Sequence, residues 1–244
     1  MRPAPDPLLR GQILHAIVEK FTKTRPEFET IEAARERLLA ITDAVLEKGV
    51  PWPSTRRIWR ARIARIAGRF CEDEAARLAE GTPTVIEEKV TVPLQNIDFS
   101  VTAKPDRIDL LSDGQARIFD YKSGGLPSEA EIIAFNKQML LEAAMVERGA
   151  FAEIGTRTVA GMTYVRLGGG GESRDVKGVS KDRTETPDEA WARLAGLVAR
   201  YQSQTQGYTA RRAMQKTSDR SDYDLLARFG EWDTTDEPEP EDLT

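Results

Sequence analysis

The segment Pro105-Asp106-Arg107-Ile108-Asp109, followed shortly by Ile118-Phe119-Asp120-Tyr121-Lys122-Ser123-Gly124, constrains this chain more than any other feature. Both segments read as strands, and Ser112-Asp113-Gly114 between them supplies a hairpin turn that lays one beside the other. Side chains alternate faces along a strand, so Asp120 and Lys122 point one way and Tyr121 the other, leaving the Tyr121 carbonyl near the shared side. If the Asp106 segment pairs with this strand, Asp106 joins them. Two carboxylates and a carbonyl suit a hard, oxygen-loving cation such as Mg²⁺. A lysine beside such an ion can orient or deprotonate a water and offset charge on a phosphate.

Each residue also has a plainer reading. Asp106 can pair with Arg107 or Lys104, Asp120 with Lys122 can form a surface ion pair, and Tyr121 can be core. His15, the sole histidine, can be a surface or satisfied core residue, and Gln138 can be polar helix surface. The order and coincidence of these residues, more than any one of them, favour a shared site.

The pattern Pro105-Asp106, a gap, then Asp120-Tyr121-Lys122 resembles the active-site motif of the PD-(D/E)xK nucleases. Upstream, Leu9-Arg10-Gly11-Gln12-Ile13-Leu14-His15 resembles the Gly-x-x-x-His helix of the RecB-like branch, and downstream Gln138-Met139-Leu140-Leu141-Glu142-Ala143-Ala144-Met145 is similar to its Gln-containing helix. Glu142 departs from that pattern, since many relatives place Tyr four residues after the Gln. The strings Asp-Arg-Ile-Asp, Asp-Tyr-Lys-Ser-Gly and the tail Asp222-Tyr223-Asp224-Leu225-Leu226-Ala227-Arg228-Phe229-Gly230-Glu231-Trp232 look like the AddB-type nuclease domains of bacterial helicase–nucleases that process DNA double-strand breaks.

The resemblance implies an α/β, restriction-endonuclease-like fold: a mixed β-sheet core flanked by helices, with an N-terminal helical segment. It implies that His15, Asp106, Asp120 and the Tyr121 carbonyl hold one or two divalent ions, Mg²⁺ or alternatively Mn²⁺. Lys122 would position the attacking water, and Gln138 would hold the water or the strand. The implied substrate is a single-stranded DNA end, and the implied partner an AddA-type helicase–nuclease subunit. No Gly-x-x-x-x-Gly-Lys-Ser/Thr string encodes a motor here. Cys71 is the only cysteine, which excludes the four-cysteine iron–sulfur cluster found in some relatives.

The charge balance looks wrong for a DNA-binding chain: 244 residues with a net charge of −5 and a pI near 5.3. The acids are unevenly placed. Residues 233–244 hold six of them and no base, so removing that tail from the overall −5 leaves a body at +1. The tail reads as a disordered acidic appendage. Arg56, Arg57, Arg60, Arg62, Arg65 and Arg69 share one helical stretch whose Trp59, Ile63, Ile66 and Phe70 form an apolar stripe, so the arginines face out, toward solvent or toward phosphate. No apolar run is long enough to span a bilayer, and Met1 to Leu9 lacks the apolar segment of a signal peptide, so a cytoplasmic protein is expected.

Periodicity predicts helices over Leu8 to Thr24, Glu27 to Lys48 and Thr55 to Glu80. Strands follow at Thr84 to Pro93, at Ile97 to Ala103 running on into the Asp106 segment, and at Ala116 to Lys122. Ser128 and Glu131 form a capping box for the helix that bears Gln138, Gly161 to Leu167 is the last core strand, and Gly168 to Gly171 is a loop. Thr186, Pro187 and Glu189 start a final helix with Trp191, Leu194, Val198 and Tyr201 on its inner stripe. The expected organisation is one nuclease domain over 1–232, with a helical part at about 8–80, a catalytic sheet core at about 84–167, a C-terminal helix and tail at 186–232, and the acidic tail at 233–244.

Overall fold

A computed structural model describes residues 6–167, 173–175, 185–208, 223–233 and 235–237. The loop expected at Gly168 to Gly171, Asp222 and the last seven residues of the acidic tail lie outside the described residues.

Three helices come first: α1 (Pro7–Lys23), α2 (Ile31–Gly49) and α3 (Pro53–Glu80). Asp6 starts α1 by accepting the Leu9 N–H at 2.6 Å, with Pro7 in the first turn, where its missing N–H costs nothing. Helix α2 begins later than expected. Its cap is Thr30, whose hydroxyl takes the Ala33 N–H at 3.2 Å, so Glu27 to Glu29 stay outside it, and the Glu29 carboxylate grips Arg37 instead. Pro53 opens α3 at its first position, two residues before the expected start at Thr55.

The strands are β1 (Gly81–Ile86), β2 (Val90–Pro93), β3 (Ser100–Ala103), β4 (Arg107–Leu111), β5 (Ala116–Lys122), β6 (Val159–Arg166) and β7 (Ser173–Asp175). They form a five-stranded sheet in the order β1-β4-β5-β6-β7 and a separate β2-β3 ribbon. All neighbours are antiparallel except β5 and β6, which run parallel. The parallel step requires a crossover, and α4 (Glu129–Ala134) and α5 (Gln138–Glu147) provide it; α6 (Pro187–Tyr201) follows the sheet.

Four expectations about these elements need correction. The strand expected over Thr84 to Pro93 is two strands in two different sheets. Glu87 turns the chain between them with a φ of 55°, and its N–H goes to the carbonyls of Pro105 and Asp106 at 3.1 and 3.3 Å. The run from Ile97 into Asp106 divides likewise: β3 leaves with β2, and Asp106 stands just before β4. The Ser128–Glu131 capping box is present but starts only the short α4; the chain breaks over residues 135–137, and Gln138 opens the separate helix α5. Finally, β6 is followed by the edge strand β7. Thr186 and Glu189 do form a capping box at α6, and Trp191 is buried beneath it. The hairpin turn between β4 and β5 falls where expected, with Gly114 at a φ of 82°, a conformation that favours glycine.

Each face of the sheet carries its own core. Phe119, Tyr121, Val165 and Leu167 pack against α1, α2 and α3. Val85, Ile108, Ile118 and Tyr164 pack against α5 and its neighbours, including Met139, Ala143 and Trp191. Alternation along β5 therefore sends Phe119 and Tyr121 to the three-helix side, and Ile118 and Asp120 to the α5 side. No described helix is long and apolar enough to cross a membrane.

Candidate active site

The last pair in the β4–β5 ladder is Arg107 with Phe119, so continuing the register sets Asp106 across from Asp120 at the end of the sheet. Asp106 Oδ2 accepts the Tyr121 N–H at 2.7 Å, which ties it to β5 beyond the ladder. A residue's N–H and C=O leave a strand along the same edge, so the Tyr121 carbonyl lies toward Asp106 as well. The Tyr121 ring is core, as its plainer reading had it. Its hydroxyl receives a hydrogen bond from Arg107 Nη1 at 3.2 Å in a fully buried charge network.

That network explains two other charges of the motif. Arg107, 0 % exposed, clasps Asp109 with two hydrogen bonds and reaches Glu74 on α3, which also holds Arg77. Arg107 is thus not the partner of Asp106. Burial raises the Asp109 carboxyl above its ordinary value despite the guanidinium against it. The function of this cluster is structural: it fixes β4 on α3, one residue from Asp106.

Helix α1 delivers His15 to the same end. Its Nδ1 lies 3.1 Å from Asp106 Oδ1 and 3.5 Å from Glu87 Oε1. Ligand atoms of His15, Glu87 and Asp106 lie within 4.8 Å of one another, close enough for a single cation. The hydrogen bond to Asp106, joined by Glu87 and opposed by burial, raises the His15 pKa to about 10. Glu87 shifts the other way, downward, through its bonds to His15 and to Lys104, whose Nζ is 2.6 Å away. Lys104, a candidate partner for Asp106, pairs with Glu87 instead. Glu87 was absent from the expected ligand set because a strand was expected to run through it. The charged interruption Glu87-Glu88-Lys89 in an otherwise strand-like run was the available signal.

Asp120 lies outside that three-residue group and organises the α5 side. Its Oδ2 is 2.6 Å from Lys122 Nζ, and its Oδ1 accepts from Gln138 Nε2 at 3.1 Å. Burial raises the Asp120 pKa, with Lys122 pulling it back down. Gln138 also donates to Glu142 Oε1 at 3.0 Å. Glu142 is 3 % exposed, its other oxygen has no hydrogen-bond partner among the described residues, and burial pushes it up to about 7. Tyr164 sits opposite Asp120 in the β5–β6 register, with a buried hydroxyl that likewise lacks a partner among the described residues. Of the expected residues, the fold therefore draws His15 and Asp106 together, and Asp120, Lys122 and Gln138 together, in adjoining clusters.

The sheet thus lies between helical layers and gathers carboxylates, a histidine and a lysine at one end. The chain belongs to the PD-(D/E)XK nuclease superfamily, whose family model matches residues 2–222. It is also similar to an "Uncharacterized protein" of Rickettsia bellii, 19% identical over 144 residues, and to another of Rickettsia conorii, 20% identical over 149 residues. These matches cover 58% and 59% of the chain but only 17% and 18% of the relatives, so the chain spans under a fifth of their length.

Proposed function

We propose that this chain hydrolyses DNA phosphodiester bonds with the help of Mg²⁺ or Mn²⁺, acting on single-stranded ends. The observation that carries the reading is the joining of a three-ligand cluster, His15, Glu87 and Asp106, to the Asp120–Lys122 pair across one sheet end. The donor set fits a hard divalent ion: carboxylate oxygens predominate, and imidazole is the single nitrogen. His15, Asp106 and Glu87 would hold it, with Asp120 and the Tyr121 carbonyl completing the set on the strand side. Such an ion supplies Lewis acidity toward a phosphate oxygen and lowers the pKa of a bound water.

The chain's own groups do the rest. Lys122 carries a positive charge beside Asp120 and would hold the attacking water and stabilise charge that develops on the phosphate. Asp120 keeps Lys122 on that side of the sheet, and Gln138 fixes the Asp120 carboxyl through its amide. Neutral His15 would be the form that holds an ion, so binding would be coupled to loss of its proton.

The likeness to AddB-type domains supports a place in double-strand break repair and recombination, as the nuclease part of a helicase–nuclease with an AddA-type subunit. End-labelled single- and double-stranded DNA, incubated with Mg²⁺ or with EDTA, tests the core of the reading. Metal-dependent cleavage of the single strand, lost in Asp106→Ala, is expected. Cleavage that persists in Asp106→Ala, or none in wild type, would sink it.

A further inference from the structure

Beside the sheet end, a cavity of about 290 Å³ opens between α1, α3 and the segment after β5. Ser123, Gly124 and Gly125, which directly follow Lys122, form one wall. Aliphatic side chains of the three-helix core make its floor, and the half-buried Trp59 is set among them. Arg10, Arg62, Arg65 and Arg166 line it, and among the described residues no carboxylate does. Arg10 donates to the Ser123 carbonyl at 3.2 Å, so the wall is anchored to α1 just ahead of His15. On α3, Arg60 is matched by Asp43 and Arg69 faces Asp73 at 4.0 Å, whereas Arg62 and Arg65 are exposed with no acidic partner among the described residues. Trp59, Arg62 and Arg65 recur at three-residue spacing and so share one face of the helix.

Resting on the nuclease reading, we propose that this cavity receives one unpaired nucleotide next to the bond that is cut, with its base against Trp59 and its phosphate held by Arg62 and Arg65. Arg62 and Arg65, exposed with no acidic partner among the described residues, suit a polyanion and reject an acidic partner. An apolar floor with an indole suits the face of a base, and base–aromatic stacking tolerates any sequence. The volume lies at the small end of ligand pockets, which fits one base and excludes a longer folded segment. A base inside a duplex is already stacked and cannot enter, so the cavity selects a single or splayed strand. The position after Lys122 places the flanking phosphate beside the site.

The test is anisotropy of fluorescein-labelled dT12 with the full chain in EDTA, where no cleavage is expected, over a series of salt concentrations. Trp59→Leu should weaken binding about 5- to 150-fold, the range for losing one stacked base, while Trp59→Phe keeps most of the affinity. Arg62→Ala with Arg65→Ala should lower the slope of log affinity against log salt by about 1.4, as for two phosphate contacts on a single strand. Arg35→Ala with Arg57→Ala removes the same charge elsewhere and should change the slope little. A 12-base-pair duplex should bind Trp59→Leu as it binds wild type. Undetectable dT12 binding by wild type, Trp59→Leu and wild type binding dT12 equally, or an equal slope change in the Arg35/Arg57 pair would each overturn the proposal. Metal-dependent cleavage without Trp59-dependent binding leaves the nuclease reading standing and removes the subsite; the reverse result keeps the subsite and removes the nuclease reading.

Discussion

Replacing Glu142 with Gln takes the charge off a carboxyl that folding has carried out of water. Burial is the main cause of its rise from the ordinary 4.5 to about 7; the Gln138 hydrogen bond works against that rise, while the nearby Asp120 and Asp106 add to it. Below the ordinary value both folded and unfolded chains hold the proton, so the group is neutral and harmless. Between there and about 7 the folded chain holds more protons than the unfolded, and stability falls as pH rises through that window. The loss is complete above the folded pKa and amounts to about 3 kcal/mol, since each pH unit separating the folded and unfolded values contributes about 1.36 kcal/mol. Glu142→Gln keeps the shape without the titration. Its advantage over wild type should be near zero at pH 4.5 and reach about 3 kcal/mol at pH 8, or roughly 6–12 °C in melting temperature for a chain of this size.

Thermal or urea unfolding of both proteins in EDTA across that pH range measures the gap. His15 also titrates, with stability present below its unfolded value and lost as pH rises through about 10, but it does so in both proteins and cancels from the difference. Adding Mg²⁺ should narrow the gap at pH 8, because a cation beside Asp120 favours the ionised Glu142. A gap that is equal at both pH values, or Glu142→Gln less stable than wild type at pH 8, would refute the account.

Other outcomes follow from the same geometry. Because His15 holds its proton up to about 10, Mn²⁺ binding at pH 8 should release close to one proton, read by calorimetry in buffers of differing ionisation enthalpy; no release would remove His15 from the ligand set. Lys122→Ala should lose cleavage while keeping divalent-ion affinity, whereas Asp120→Ala should lose both; near wild-type cutting by Lys122→Ala would show that the proposed mechanism is wrong. Arg107→Ala leaves Asp109 buried without its cation and Glu74 with Arg77 alone, and should cost about 3–5 kcal/mol, against at most about 1 kcal/mol for Arg60→Ala at its exposed pair with Asp43. Equal costs in urea unfolding would count against the network.

How much of this was legible depended on the range of the interaction. The hairpin that juxtaposes Asp106 and Asp120 was readable because alternation and an Asp-Gly turn are local signals, and β5 falls on Ala116 to Lys122 as periodicity indicates. The Ser128–Glu131 box was equally local. What it starts was not: α4 stops at Ala134 and a separate helix opens at Gln138, whose amide meets Asp120 on β5, a contact that lies outside the local pattern. Glu87 was hidden for the same reason. Its turn is held by carbonyls of Pro105 and Asp106, some twenty residues on, and no pattern within the β1 segment encodes that capture. Glu142 could be seen as a departure from the family pattern, but its burial could not, because an acid on a helix gives no sign of which face will be covered.

The two faces of the β4–β5 hairpin treat charge in opposite ways, and the contrast bears on what the site is for. On the three-helix side, Arg107 meets Asp109 and Glu74 in a closed set in which each buried charge has a counter-charge. On the α5 side, Asp120 is paired with Lys122 and is also acted on by His15, whereas the second oxygen of the buried Glu142 and the Tyr164 hydroxyl have no hydrogen-bond partner among the described residues. Both arrangements sit on the same two strands, so solvent exclusion alone does not explain the difference. A fold selected only for stability would complete the second set as it completes the first, because unpaired buried groups are costly. Retaining an excess of negative charge where a cation can neutralise it is the expected cost of a site whose stable form includes an ion. The rigid set lies one residue from Asp106, so the compensated face holds in place the strands on which the uncompensated one depends.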